Sequence, residues 1–156
     1  MKAVLQRVSR ASVKVDERIV GQCGKGLMIL LGVADGDTEK DAAALADKIL
    51  KLRIFEDQNQ KMNLSICDID GELLVISQFT LMANYSHGNR PDFLSSAKPA
   101  EANRLYEYFV SRISAGVRRA ETGIFGADME VELINDGPVT IVMDSNVLLK
   151  KGYDVK

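Results

Sequence analysis

The chain reads as a single compact α+β domain spanning residues 1–156, with a mostly antiparallel or mixed β-sheet and two main amphipathic helices. Three observations predict this. Short runs of alternating or continuous apolar residues recur from the N-terminus onward, separated by Gly- and Asp-rich turns. Two longer segments carry apolar residues at helical spacing. No linker, internal repeat or low-complexity tract divides the chain, whose length suffices to bury about two thirds of the surface exposed when unfolded.

Taken in order, Lys2 to Val8 alternates as a strand does, with Ala3 and Leu5 on one face and Val4, Gln6 and Val8 on the other. A second strand through Ser12-Val13-Lys14-Val15 turns at Asp16-Glu17-Arg18 and returns through Ile19-Val20 to Cys23. Gly24-Lys25-Gly26 lacks the downstream Lys-Ser/Thr of a phosphate loop and reads as a turn. The apolar run Leu27 to Val33 predicts a central strand buried on both faces. Thr38-x-x-Asp41 opens the first helix as a capping box, with Leu45, Ile49 and Leu52 at helical spacing and Ala42, Ala43 and Ala46 keeping one side thin. A polar turn at Asp57 to Lys61 follows Ile54-Phe55, and Asp70-Gly71 is a hairpin signal after Ile66 to Ile69. Leu73 to Leu81 reads as one strand, apolar to Ile76 and polar beyond.

Asn84 to Pro91 is a polar loop. Pro99 suits the first turn of the second helix, whose stripe of Ala102, Leu105, Tyr106, Phe109, Val110 and Ile113 is core material. Gly116 ends that helix, and Arg118-Arg119 reads as a solvated turn. The glycines of Glu121 to Asp128 permit a close approach of backbone to a ligand. Met129 to Ile134 and Val139 to Met143 are strand runs flanking Asp136-Gly137-Pro138. Asp-Gly is a hairpin signal, and the local reading is a turn with a trans proline. The tail from Ser145 to Lys156 has weak periodicity.

Composition narrows the function. Apolar content of 46% and charged content of 27% are those of a soluble globular protein. No apolar run approaches the roughly 20 residues of a membrane span, and Met1-Lys2-Ala3-Val4 enters a strand pattern directly, so neither a membrane partner nor a signal peptide is expected. Two cysteines, Cys23 and Cys67, make no disulfide framework, which predicts a reducing, cytoplasmic setting. A lone histidine, His87, without Cys-x-x-Cys argues against a zinc site, and neither metal nor cofactor is expected. A formal charge of −2 and a pI near 5.5 restrict any nucleic-acid contact to a small, local one. Ser77, Gln78 and Thr80 bring hydroxyl and amide groups to a strand end, which either emerges into solvent or lines a pocket. Thr80 as nucleophile would need an activating base, and nothing in the sequence brings His87 to it.

Ser77-Gln78-Phe79-Thr80-Leu81 together with Asn135-Asp136-Gly137-Pro138-Val139-Thr140 resembles the D-aminoacyl-tRNA deacylase family. The likeness extends through Gln6 to Val13, Ile54 to Asp57, Lys61 to Ser65 and Glu121 to Met129, covering about residues 1–145. It implies a barrel-like sheet and a homodimer acting on the 3′ end of aminoacyl-tRNA. A cis Gly137-Pro138 would reach into the partner's site, its carbonyls occupying the volume an L side chain needs. Residue by residue, the resemblance makes Gly137 and Pro138 the chiral filter and Arg7 its brace. Ser77, Gln78, Phe79 and Thr80 become the catalytic lining, while Phe125, Gly126, Ala127 and Met129 hold the terminal adenosine. Glycine offers no side chain to refuse, so glycyl-tRNA, including tRNA-Ala mischarged with glycine, is an expected substrate. The favoured mechanism uses backbone donors for the oxyanion and the tRNA 2′-OH to assist water, with Thr80 positioning. One region departs from the family pattern. Tyr85 to Phe93 is less basic, with Asp92 where a small hydroxyl residue is usual, and Lys98, Arg118, Arg119, Lys150 and Lys151 are the candidates to compensate. Two competing readings are an esterase of small D-amino acid esters that ignores tRNA, and a non-catalytic dimerisation module.

Overall fold

The computed structural model describes residues 1–149. The chain enters on β1 (Lys2–Val15), turns through Asp16 and Glu17 at positive φ, and returns on β2 (Arg18–Cys23). β3 (Gly26–Gly32) runs antiparallel to the first half of β1, from Lys2↔Gly32 to Val8↔Gly26. β1 is therefore one strand where two were expected. No turn residue interrupts Ser9-Arg10, and the strand changes partner from β3 to β2 on the way.

α1 (Glu39–Lys51) starts at Thr38, whose N–H donates to Asp41 Oδ2 at 2.9 Å in the expected capping box. Its Ala42, Leu45, Ala46 and Ile49 are fully buried. β4 (Phe55–Glu56) and β5 (Met62–Leu64) form a small hairpin around the Asp57 turn, in which the Asp57 carboxylate accepts the Asn59 and Lys61 N–H groups. Ile66 to Ile69 is a turn and not a strand. The Asp68 carboxylate accepts the Ser65 N–H at 2.8 Å, and Asp70, at φ 52°, leads into β6 (Glu72–Ser77) without a hairpin. The expected continuation of that strand to Leu81 also fails, because the chain coils at Phe79–Met82 into a 3-10 turn.

α2 (Pro99–Ser114) begins at Pro99 as predicted. Arg119 opens β7 (Arg119–Thr122), a strand where a turn was expected. Arg118 and Arg119 are held by carboxylates along the strand ends, Arg118 against Glu72 at 2.9 Å and Arg119 against Glu121. β8 (Glu130–Asp144) follows, and α3 (Ser145–Leu149) closes the described chain; residues 150–156 of the tail, with Lys150 and Lys151, lie outside it.

The sheet order is β2-β1-β3-β6-β7, with β8 added on β1; β3–β6 and β6–β7 are parallel and the other pairs antiparallel. It curls until β7 meets β2. There the Gln22 N–H donates to Glu121 Oε2 at 2.7 Å, and a Cβ on Gly21 would stand 2.3 Å from the Thr122 carbonyl oxygen. Only glycine lets the strands come that close, and the result is a nearly closed barrel. One apolar cluster packs α1 and α2 on the sheet around Leu5, Leu27, Ile29, Leu45 and Phe109. A second fills the curl with Val8, Val13, Met28, Leu74 and Ile76. β3 and β6 thus supply side chains to both, as their unbroken apolar runs require. No helix among the described residues is long and apolar enough to cross a membrane.

The hairpin expected at Asp136-Gly137 is absent. β8 is a single strand that pairs with β1 along most of its length. Between Gln6↔Thr140 and Val8↔Asn135, β1 advances past Arg7 alone while β8 accommodates Asp136 to Val139. The surplus loops out of the ladder. Pro138 has no N–H to give a ladder, and Gly137 sits at φ 124°, a region open to glycine. The Gly137–Pro138 peptide is cis, correcting the local expectation of trans.

Candidate active site

Ser77 ends β6 opposite Leu31, and the Gln78 N–H extends the pairing to the Leu31 carbonyl at 2.8 Å. Beyond that the chain coils. Leu81 N–H donates to Gln78 O and Ala83 N–H to Thr80 O, which leaves the Phe79 and Thr80 N–H groups without an acceptor among the described residues. The first donors of a helical turn have no partner within it. The Thr80 hydroxyl meets the Gln78 side-chain amide and is exposed; neither His87 nor a carboxylate is bonded to it among the described residues.

The segment after the polar loop supports this turn. Ser95 Oγ donates to Met82 O at 3.0 Å and Ser96 Oγ to Phe79 O at 3.3 Å, while Phe93 meets the Phe79 ring edge-on with centroids 5.1 Å apart. Behind lies Tyr106 of α2. Its hydroxyl donates to the Val75 carbonyl at 2.8 Å, and burial pushes the phenol up to about 12, with a Thr122 hydrogen bond pulling the other way. Phe125 lies 6.0 Å from Tyr106, centroid to centroid. Gly126, at φ 76°, turns the chain after Phe125, and a Cβ on Gly123 would stand 2.5 Å from Met129 Sδ.

These pieces enclose a cavity of about 730 Å³. It brings together Ser77, Gln78 and Phe79 on one wall and Phe125, Gly126, Ala127 and Met129 on another, two stretches far apart in sequence. Thr80 stands beside the lining and not in it, and Arg7, Gly137 and Pro138 are elsewhere. Sequence reasoning named Lys98 only as a candidate tRNA contact and missed that it joins Pro99, Ala102 and Tyr106 in a further wall. The signal was present: small Pro99 and Ala102 precede Tyr106 on one helix face, leaving room beside the sheet. Lys98 and Asp128 are the charged side chains of the lining.

Arg7 is buried, 4% exposed, beneath the Gly137-Pro138 loop. Its Nε donates to the Asp136 carbonyl at 3.0 Å and its Nη1 to the Ile54 carbonyl at 2.8 Å, and a Cβ on Gly137 would lie 3.0 Å from its Nη2. Arg7 pairs with Leu27 and Ala3 with Leu31, so the loop and the cavity lie four residues apart along these strands, about 13 Å. On the sheet face beyond the helices, Val142, Val4 and Leu30 form a cross-strand row ending at Ile76, with Val142 73% exposed.

Four arginines are paired with carboxylates of the chain. Arg104 is held by Glu101 and Glu39, Arg112 by Asp47, Arg118 by Glu72 and Asp70, and Arg119 by Glu121. Arg118 and Arg119, two of the candidates to compensate for the weakly basic loop, are thus engaged in surface ion pairs. Asp92 has a local job: its backbone pairs with Asn84 in both directions, and its carboxylate accepts from Asn84 Nδ2 and the Leu94 N–H.

The model of the D-Tyr-tRNA(Tyr) deacylase family matches residues 4–144. A protein of Caldicellulosiruptor saccharolyticus named D-aminoacyl-tRNA deacylase is 57% identical over 145 residues, 93% of this chain and 97% of that one. One of the same name from Koribacter versatilis is 56% identical over 145 residues, with the same shares. Among solved structures, one named c-Myc DNA Unwinding Element Binding Protein superimposes with a TM-score of 0.87 at 41% identity, covering 92% of this chain and 98% of that one. Another, described as a probable eukaryotic D-amino acid tRNA deacylase, has a TM-score of 0.78 at 17% identity over the same shares and is alike in fold.

Proposed function

The chain belongs to the D-Tyr-tRNA(Tyr) deacylase family, and from that premise we propose that it hydrolyses the ester bond of D-aminoacyl-tRNA to free tRNA and the D-amino acid. The observation that carries this is the cavity joining Ser77, Gln78 and Phe79 to Phe125, Gly126, Ala127 and Met129, with the unengaged N–H groups of Phe79 and Thr80 at its edge. The second wall takes the terminal adenosine in an apolar slot edged by backbone, a mode of RNA recognition that needs one unstacked base and little positive charge. The ester then lies toward the first wall. Water attacks the ester carbonyl carbon, assisted by the tRNA 2′-OH, and the oxyanion accepts hydrogen bonds from the Phe79 and Thr80 N–H groups. The carbon–oxygen bond to the ribose breaks, and the ribose oxygen takes the proton. One well-placed oxyanion donor is worth about 10²–10³ in rate. Thr80, paired with the Gln78 amide, positions this turn.

Chirality is enforced by Gly137 and Pro138 of a second copy. Their loop lies about 13 Å along the strands from the cavity of its own chain, a separation that suits service to a partner's cavity. The cross-strand row of Val142, Val4 and Leu30, exposed at Val142 and half-buried at the other two, supplies apolar surface for a homodimer. The loop's carbonyls accept the substrate α-amino group and fill the space of an L side chain, so a D side chain points outward. Glycine passes the same filter, which makes glycyl-tRNA, including glycine on tRNA-Ala, a substrate. The reaction takes place in the cytoplasm.

Deacylation of one tRNA carrying D-Tyr or L-Tyr, with a chelator present, tests this. Rapid loss of the D ester with the L ester intact is expected. Equal cleavage of both overturns the chiral filter, and survival of both overturns the activity.

A further inference from the structure

We propose that Lys98 grips the phosphate on the 5′ side of the terminal adenosine, and so makes the cavity a site for aminoacyl-tRNA and not for small D-amino acid esters. The inference rests on the deacylase reading and deepens it. A 3′-aminoacyl adenosine leaves its binding site in three directions: through the ester, through the base and through the 5′-phosphate. Besides its apolar floor, the cavity is lined by the Ser77–Phe79 stretch, the Phe125–Met129 stretch and the segment running from Phe93 into α2, and Lys98 is the one cation among the described residues of that lining. Ser77, Gln78 and Phe79 take the ester, and Phe125 to Met129 take the base. The side that carries Lys98, where the chain enters α2, remains for the phosphate.

That wall is graded in depth. Tyr106 is buried at its foot, Ala102 lies one turn nearer solvent, and exposed Pro99 and Lys98 stand at the rim. About 12 Å of helical rise separates Lys98, at the N-cap of α2, from Tyr106, which sets its backbone toward the mouth of the cavity and away from the buried foot. Asp128, the other charged side chain of the lining, is on the base wall and repels a phosphate there. Nor is Lys98 committed elsewhere, since it makes no ion pair among the described residues, unlike Arg104, Arg112, Arg118 and Arg119. A lysine serves a phosphate as a mobile point charge, which asks nothing of its rotamer in the empty site.

The test compares two substrates of the full-length chain: D-Tyr-tRNA, and 3′-D-tyrosyl-adenosine without a 5′-phosphate. Lys98→Gln is expected to raise KM for the tRNA about twofold to fivefold at low salt, the range of an exposed ion pair, with kcat unchanged. The slope of log(kcat/KM) against log salt concentration should become shallower by about 0.7, one phosphate contact on a single strand. Lys98→Glu should exceed that loss and Lys98→Arg should restore both readouts, while the nucleoside ester is hydrolysed alike by all four proteins. An unchanged salt slope in Lys98→Gln overturns the assignment, as does equal impairment on the two substrates. If the unsubstituted chain hydrolyses neither ester, the deacylase reading itself is overturned and this inference with it.

Discussion

Replacing Arg7 removes the support under the Gly137-Pro138 loop, and the structure sets the size of the effect. The guanidinium is almost fully buried and donates to two carbonyls, Asp136 O and Ile54 O. A hydrogen bond to a charged group contributes about 1.5–3 kcal/mol. Its contacts with Glu56 at 3.8 Å and Asp136 Oδ2 at 3.5 Å are to half-exposed carboxylates and add little. Arg7→Met leaves both carbonyls unmet and should lower stability by about 3–5 kcal/mol, a large part of the 5–15 kcal/mol typical of a domain. Lysine keeps the charge but cannot donate in two fixed directions from one planar head, so Arg7→Lys should lose about 1.5–3 kcal/mol. Urea unfolding at fixed protein concentration measures the first effect, and the ratio of D-Tyr to L-Tyr deacylation measures the second. Both variants should unfold earlier, and the folded fraction of Arg7→Lys should discriminate less well. An Arg7→Met protein within about 0.5 kcal/mol of the parent, the range of an ordinary surface change, refutes the reasoning.

Three further outcomes follow from single contacts. Thr80→Ala should reduce kcat about tenfold to a hundredfold, whereas loss of a true nucleophile costs about 10⁴ or more, as single-turnover kinetics on D-Tyr-tRNA will distinguish. Burial alone would raise the Asp41 carboxyl, but hydrogen bonds from Ser145 and Thr38 outweigh it and hold the group below its ordinary value of 3.8. A depressed folded value contributes stability above the unfolded one and loses it as pH falls through the folded one. The parent should therefore lose stability below about pH 4, and Asp41→Asn, weaker by about 1–3 kcal/mol at neutral pH, should lose less on acidification; urea midpoints across pH 2–7 record both. Gly21→Ala puts a methyl carbon against the Thr122 carbonyl where β2 meets β7 and should cost about 1–3 kcal/mol by thermal unfolding.

What the sequence made legible was whatever local chemistry decides. Thr38 and Asp41 announced α1, Pro99 and its stripe announced α2, and the unbroken run after Gly26 announced a strand buried on both faces. The errors arose where a distant partner decides. Asp136-Gly137 is the same dipeptide in a hairpin and in a looped-out ladder; only the length of β1, which offers β8 a continuous edge, selects the second. β7 reads as polar because Arg119 and Glu121 face the barrel seam, where Glu72 and Gln22 satisfy them. The lining residues could be named from two motifs, whereas the small face of Pro99 and Ala102 becomes a cavity wall, with Lys98 at its rim, only through the packing of α2 on the sheet, which no local pattern specifies. Tyr106, assigned correctly to the core, also turned out to be the cavity's foot, since one ring can do both.

Chiral discrimination as proposed requires that one subunit's loop serve the other's cavity. Mixed dimers measure this directly. Gly137→Val fills the space of the substrate α-carbon in the filter, and Ala127→Trp blocks the adenosine slot; each homodimer should be inactive on D-Tyr-tRNA. Co-refolding the two at equal amounts leaves, by random pairing, about a quarter of the sites with an intact slot facing an intact loop from the other chain. Recovery to about that level is the predicted result. No recovery from verified mixed dimers would contradict it, because it would place the loop that matters in the same chain as the cavity it guards.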